Sequence, residues 1–370
     1  MTLGVLMSLS EIPPLVSADC HVDEPHDLWY DRLPEGFRDR APRRIEIDEH
    51  GGYTLVLDGS DLGWNMNPAA AEEQEDRRWS MATIEHRLEM MRTDGIRGEV
   101  IYPTIGLYIW RLSDGDLGRR CCHIYNDWVA ERLVGTSPRV KCAAMMSIWD
   151  VDHCIEDAQR AVAQGFGSIM LPLVGTPEWN MPQWERLWDS LDEIGLPVAM
   201  HQGSGHDMVM YRGWGSSTAN LLATQSMGPR AAALLSCSGV LERHPNLHVV
   251  MVEVNGGWIG WTMHTLDEYY RDHAGWAKPK LAELPSHYIR NQIHATFQSD
   301  PVALNNLALT GPEPLMWGND YPHPESTFPD SRALIADHFA SVDPESAAQV
   351  LGGNAARVFG FEDSVVLTAP

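Results

Sequence analysis

The stretch LVSADCHVDEP, residues 15–25, runs from apolar residues straight into two aspartates, a histidine and a glutamate. Val16, Ala18 and Cys20 alternate with Ser17, Asp19 and His21. On an extended strand, residues two apart share a face, so Asp19 and His21 point the same way. A short strand that ends in paired polar residues predicts one unit of an α/β fold with chemistry at its carboxyl end.

The pattern recurs along the chain. Apolar runs fall at EVIYPT (99–104), CAAMMSI (142–148), GSIMLP (167–172), PVAMH (197–201), HVVMVE (248–253), IHATFQ (293–298) and LMWGND (315–320). Between them lie stretches with apolar residues at three- and four-residue spacing, and Gly95, Gly165 and Gly195 fall where such helices would end. Eight strands alternating with helices predict a parallel sheet closed as a (β/α)8 TIM-like barrel, one domain over residues 1–370. The first connection is too long for a simple βα unit, and RRIEIDEHGGYTLVLDG within it reads as a hairpin turning at Gly51 and Gly52. Residues 26–79 are therefore expected as a hairpin-containing insertion near the barrel mouth, and residues 330–370 as a helical C-terminal segment. An open doubly wound sheet is the alternative, weakened by the lack of a G-x-G-x-x-G motif after an early strand.

Composition removes several function classes. With 51 acidic against 27 basic residues, the net charge is −24, so phosphate backbones and anionic membranes are repelled. No apolar stretch is long enough to span a bilayer, and the N-terminus lacks a basic leader region. Six cysteines without a C-x-x-C pair read as reduced thiols, and the expected location is the cytoplasm.

Chemistry in such a barrel gathers at the strand ends. The first strand supplies Asp19 and His21, with Glu24 a step further; the fifth supplies His201, then His206; the sixth Glu253; the eighth Asp320, then His323. Buried charge is costly unless paired or metal-bound, and imidazole with carboxylate suits a divalent transition metal. Asp19, His21, His201 and Asp320 are the expected metal ligands, with Glu24 and Glu253 as additional oxygen donors. Asp320 is expected to move a proton, and His206 or His323 to orient the substrate or stabilise negative charge. Trp64, Tyr108, Trp110 and Trp214 are expected to wall the mouth, and Arg212 to bind a substrate carboxylate.

The motifs DCHVDEPHDLWYDRLPEGFRDRAPR, YNDWVAERL, GFGSIMLP, LPVAMHQGSG, VVMVEVNGGWI, LMWGNDYPHPESTFPDS and GGNAARVFGF resemble the amidohydrolase superfamily. The resemblance is to its amidohydrolase 2 (amidohydrolase-related) branch, which includes metal-dependent aromatic-acid decarboxylases. It implies a metal held by a pair on the first strand, His on the fifth and Asp on the eighth: Asp19, His21, His201 and Asp320. Asp19 stands where the family's H-x-H pair has its first histidine, and Leu171 and Pro172 stand where a bridging lysine would end the fourth strand. The expected cofactor is one or two divalent ions (Mn, Fe or Zn), the oxygen-rich set tilting preference toward Mn or Fe. The implied activity is a hydrolase or carboxy-lyase acting on a small organic substrate, aromatic or carboxylate-bearing. The alternatives are a non-haem Mn/Fe or di-iron oxygenase on the same barrel, and a metal-stabilised non-catalytic subunit supporting a paralogue. A homo-oligomer, or a hetero-oligomer with a paralogue, is expected from the branch.

Overall fold

The computed structural model describes residues 8–46, 53–62, 83–175, 177–205 and 211–367. Strands among these residues are β1 (Leu15–Val22), β2 (Arg43–Glu46), β3 (Tyr53–Leu57), β4 (Ser60–Asp61), β5 (Ile96–Pro103), β6 (Val140–Met145), β7 (Ser168–Val174), β8 (Val198–Gly205), β9 (Val249–Val252), β10 (Ile293–Phe297) and β11 (Leu315–Trp317). β1 and β5 to β11 make one eight-stranded sheet in chain order, and each neighbouring pair is parallel. The sheet closes where β1 meets the turn after β11: His21 N–H donates to Tyr321 O at 2.7 Å and Asp320 N–H to Asp19 O at 2.8 Å. This is the expected barrel.

All eight expected strands are present, and their continuous apolar character reflects burial on both faces. VVMV of β9, for example, is buried throughout. The ends differ from expectation at two places that matter. β1 runs on past Asp19 to Val22. The last strand stops at Trp317, and Asp320 turns out of the ladder with φ 56°. Helices Ile84–Asp94, Val151–Gln164 and Glu185–Ile194 end at Gly95, Gly165 and Gly195 in the left-handed conformation, as the glycine spacing predicts.

Between β1 and β5, β2, β3 and β4 form a separate antiparallel sheet. The turn expected at Gly51 and Gly52 lies outside the described residues, as do residues 63–79. Arg44 of β2 forms a buried ion pair with Asp23 just beyond β1, which ties this small sheet to the end of the first barrel strand. Residues after 330 include the helices Ser331–His338, Pro344–Ala348, Asn354–Val358 and Asp363–Val366. Among the described residues no helix is long and apolar enough to cross a membrane.

One buried ion pair fixes the site's scaffold. Arg87, on the helix Ile84–Asp94, donates to both oxygens of Glu99 on β5 at 2.7 and 2.9 Å and to the carbonyl of His21 at 2.8 Å. The Arg87 side chain is fully buried. Replacing Arg87 by methionine leaves the Glu99 carboxylate buried without its partner, and a loss of about 3–5 kcal/mol in unfolding free energy is expected. Urea unfolding measures it; a loss below about 1 kcal/mol, the range of an exposed pair, would contradict this account.

Candidate metal centre

Strand ends bring Asp19 and His21 (β1), His201 (β8) and Asp320 (after β11) together, each at most 1% exposed. The closing seam allows it. A Cβ on Gly318 would lie 2.5 Å from the Asp19 Cβ, so only glycine lets the last strand pass this near the first.

Hydrogen bonds orient both imidazoles. His21 Nδ1 lies 2.9 Å from the carbonyl oxygen of Pro103, and His201 Nδ1 lies 2.8 Å from that of Gln202. A carbonyl only accepts, so each Nδ1 carries the hydrogen and Nε2 is the atom each ring can offer to a metal. Burial, and then the charge of His323, pushes His21 down to about 3, which keeps that ring neutral. The two Nε2 atoms lie 3.0 Å apart. At that distance the two nitrogens can share a proton or a cation.

The carboxylates complete the fit. Asp19 Oδ1 is 3.5 Å from His21 Nε2 and 3.8 Å from His201 Nε2, and it is buried with no hydrogen-bond partner. Asp320 Oδ1 lies 3.4 Å from His21 Nε2, and both Asp320 oxygens are buried without an aligned hydrogen bond. Two atoms each about 2.1 Å from one ion lie about 3.0–3.4 Å apart; Asp19, His21 and His201 offer atoms within 4.8 Å of one another, and Asp320 stands beside His21 in a second such group. The Nδ1–H···O=C bonds are the outer contacts that orient ligating histidines. Thr296 Oγ1 donates to Asp19 Oδ2 at 3.2 Å and accepts the N–H of Glu253 at 2.7 Å.

His323 joins the set through Asp320. Its Nδ1 is 3.0 Å from Asp320 Oδ1, and its ring stacks on His21 with centroids 4.0 Å apart. Its Nε2 faces Thr104 Oγ1 at 3.4 Å, while that hydroxyl donates to Val22 O at 3.0 Å. Both ring nitrogens thus face acceptors, as an imidazolium requires. Burial works against that charge, but Asp320 outweighs it and holds His323 up at about 10. Burial raises Asp320 to about 6 against the pull of His323. Burial also raises Asp19, yet the nearness of the His201 and His21 rings outweighs it and holds Asp19 well below the usual range.

Glu253 belongs to the group; Glu24 does not. Glu253 takes a left-handed φ of 60°, a conformation that concentrates at functional sites. Its Oε1 accepts from Gln202 Nε2 at 2.7 Å, and its Oε2 is 3.5 Å from His201 Nε2. Burial, then Asp320 and Asp19, push it well above the usual range. His21, Glu253, Asp320 and His323 form a second cluster of potential ligand atoms within 4.8 Å. Glu24 instead accepts the N–H groups of Thr104, Ile105 and Gly106 at 3.3, 2.8 and 2.9 Å. It anchors the start of the 3-10 turn Ile105–Arg111, and burial lifts it to about 7. The expectation of Glu24 as a ligand is corrected on that ground.

The expected substrate wall is also corrected. Trp110 is fully buried and donates its Nε1–H to Met146 O at 2.8 Å, so it is core. Trp214 is 106% exposed, and Arg212 is exposed beside it, so neither walls an enclosed cavity. Tyr108 is half-buried against the core. His206 and Trp64 lie outside the described residues.

A model of the amidohydrolase family matches residues 18–361. The chain belongs to that family. This amidohydrolase is also similar in fold to solved structures. An amidohydrolase from Mycobacterium avium subsp. paratuberculosis K-10 has a TM-score of 0.78 at 16% identity, covering 94% of this chain and 99% of that one. The 5-carboxyvanillate decarboxylase of Sphingomonas paucimobilis has a TM-score of 0.69 at 20% identity, with 94% and 99% covered. A dihydroxybenzoic acid decarboxylase from Polaromonas sp. JS666, solved with manganese and 2-nitroresorcinol, has a TM-score of 0.62 at 15% identity, with 94% and 97% covered. A comparison with curated protein sequences finds no match.

Proposed function

We propose that this amidohydrolase is a metal-dependent carboxy-lyase that removes CO2 from a small aromatic acid. The observation that carries the reading is a buried, cation-fitting group of Asp19, His21 and His201, with Asp320 beside His21 and both of its oxygens free of aligned hydrogen bonds. A cation bound by that set would supply a positive charge to hold and polarise a carboxylate. Asp320 then delivers a proton to the ring carbon as the carbon–carboxylate bond breaks, and that bond's electron pair stays on the ring carbon until the proton arrives. The products are the protonated arene and CO2. His323, 21% exposed and in contact with Asp320, returns a proton from solvent to the carboxyl. Loss of CO2 needs no water nucleophile, and a buried centre suits it better than hydrolysis, which needs water delivered to the same atoms. The decarboxylases of similar fold support the substrate class.

A second reading, an oxygenase with two metals, is favoured by the cluster of His21, Glu253, Asp320 and His323. Elemental analysis separates the two. About one divalent ion per chain, with CO2 released from 2,6-dihydroxybenzoate or 5-carboxyvanillate, supports the lyase. Two equivalents including iron, with oxygen consumed, replaces it by the oxygenase. Release of an alcohol or amine from an ester or amide, without CO2, makes it a hydrolase. Protein that takes up no metal overturns every metal-dependent reading.

A further inference from the structure

Among the described residues, one hydroxyl of the barrel interior is buried, unpartnered and outside the mechanism above. Tyr102, at the end of β5, is fully buried, and its hydroxyl has no hydrogen-bond partner. Its Cα is in register with that of His21 across the parallel β1–β5 pair. Residues in register on neighbouring strands send their side chains to the same side of the sheet, so Tyr102 projects inward beside His21. The ring meets both histidines, with centroids 6.2 Å from His21 and 5.7 Å, edge-on, from His201. A buried hydroxyl left without a partner costs about 1–3 kcal/mol, so such a group is normally satisfied by something that binds.

We propose that Tyr102 is a substrate-binding residue of this centre, whose hydroxyl donates its hydrogen to a carboxylate or phenolate oxygen of the molecule held at the two imidazoles. The inference rests on the lyase reading for its substrate class. The ring stands beside both imidazoles, next to where such a molecule would be held. Neither histidine can serve as its acceptor once both Nε2 lone pairs face a cation. Other tyrosines near polar groups are bonded within the chain: the Tyr288 hydroxyl reaches Glu242, and that of Tyr321 lies 3.1 Å from His86 Nε2. Tyr125 shares the unpartnered state, but it sits on the helix Gly115–Arg132 and packs its ring against Trp128. It provides the control.

The test is calorimetric titration of manganese-loaded wild type, Tyr102→Phe and Tyr125→Phe with 2,6-dihydroxybenzoate, alongside metal content and thermal midpoints. Removing an oxygen with no partner in the chain leaves the fold intact. Tyr102→Phe is expected to keep its metal and to melt no lower than wild type without metal, while its affinity falls about 10- to 100-fold, as for loss of a hydrogen bond to a charged group. Tyr125→Phe is expected to bind like wild type. Equal affinity of Tyr102→Phe and wild type overturns the role of Tyr102 alone. Equal losses in both variants also overturn it, because they point to a shared structural effect. Wild type that binds metal but no aromatic acid overturns the lyase reading together with this inference.

Discussion

Asp320→Asn is expected to retain its metal and lose about 10²- to 10⁴-fold in turnover, the usual contribution of a positioned proton-transfer group. The amide keeps the shape of the carboxyl and one oxygen facing His21 Nε2, while Asp19, His21 and His201 are untouched. What disappears is the ability to carry a proton. In the native chain burial raises Asp320 to about 6, so its carboxyl exchanges a proton near neutrality, and His323 stands 3.0 Å away to resupply it. A bound cation opposes that rise, which is why the comparison is made on metal-loaded protein and read as a rate. Turnover within a few-fold of wild type at equal metal content would assign the proton to another group.

The second large effect concerns His201. His201→Ala is expected to lose metal to background and to lose CO2 release with it. Truncation also leaves a gap and removes the Nδ1 bond to Gln202, so each protein is compared with its own metal-free form. Wild type gains about 4 kcal/mol when free metal exceeds its dissociation constant a thousandfold. Thermal melts with and without manganese should therefore shift the wild type upward and leave His201→Ala in place. A variant that still binds one equivalent and shows the same shift would remove His201 from the ligand set.

These expectations draw on residues that the sequence made legible, for a physical reason. Asp19 and His21 stand two apart at the end of an apolar run, and His201 and Asp320 end runs of their own, so strand period and barrel geometry suffice to bring them together. Glu24 was misread because its partners are the backbone amides of Thr104 to Gly106, some eighty positions away. No side-chain pattern announces an amide nest. Trp110 was misread for a related reason: a tryptophan in a connection after a strand looks like a wall of the mouth, yet a 3-10 turn folds it back into the core. Thr104, Thr296 and Gln202 carry no distinctive spacing and act only by touching a ligand or its neighbour. Tyr102 did stand at a strand end, but a phenol there reads equally as packing until its hydroxyl is found without a partner.

The seam where β1 meets the turn after β11 has a consequence for biosynthesis. Ser17 and Asn319, bonded across it, are 302 positions apart. During translation Asp19 and His21 emerge early and wait for Asp320 until almost the whole polypeptide has left the ribosome. A nascent chain or a C-terminally truncated product lacking Asp320 has Asp19, His21 and His201 but not the turn that closes the barrel against β1. Closure of the barrel, and with it completion of the polar cluster at the strand ends, therefore comes late in synthesis.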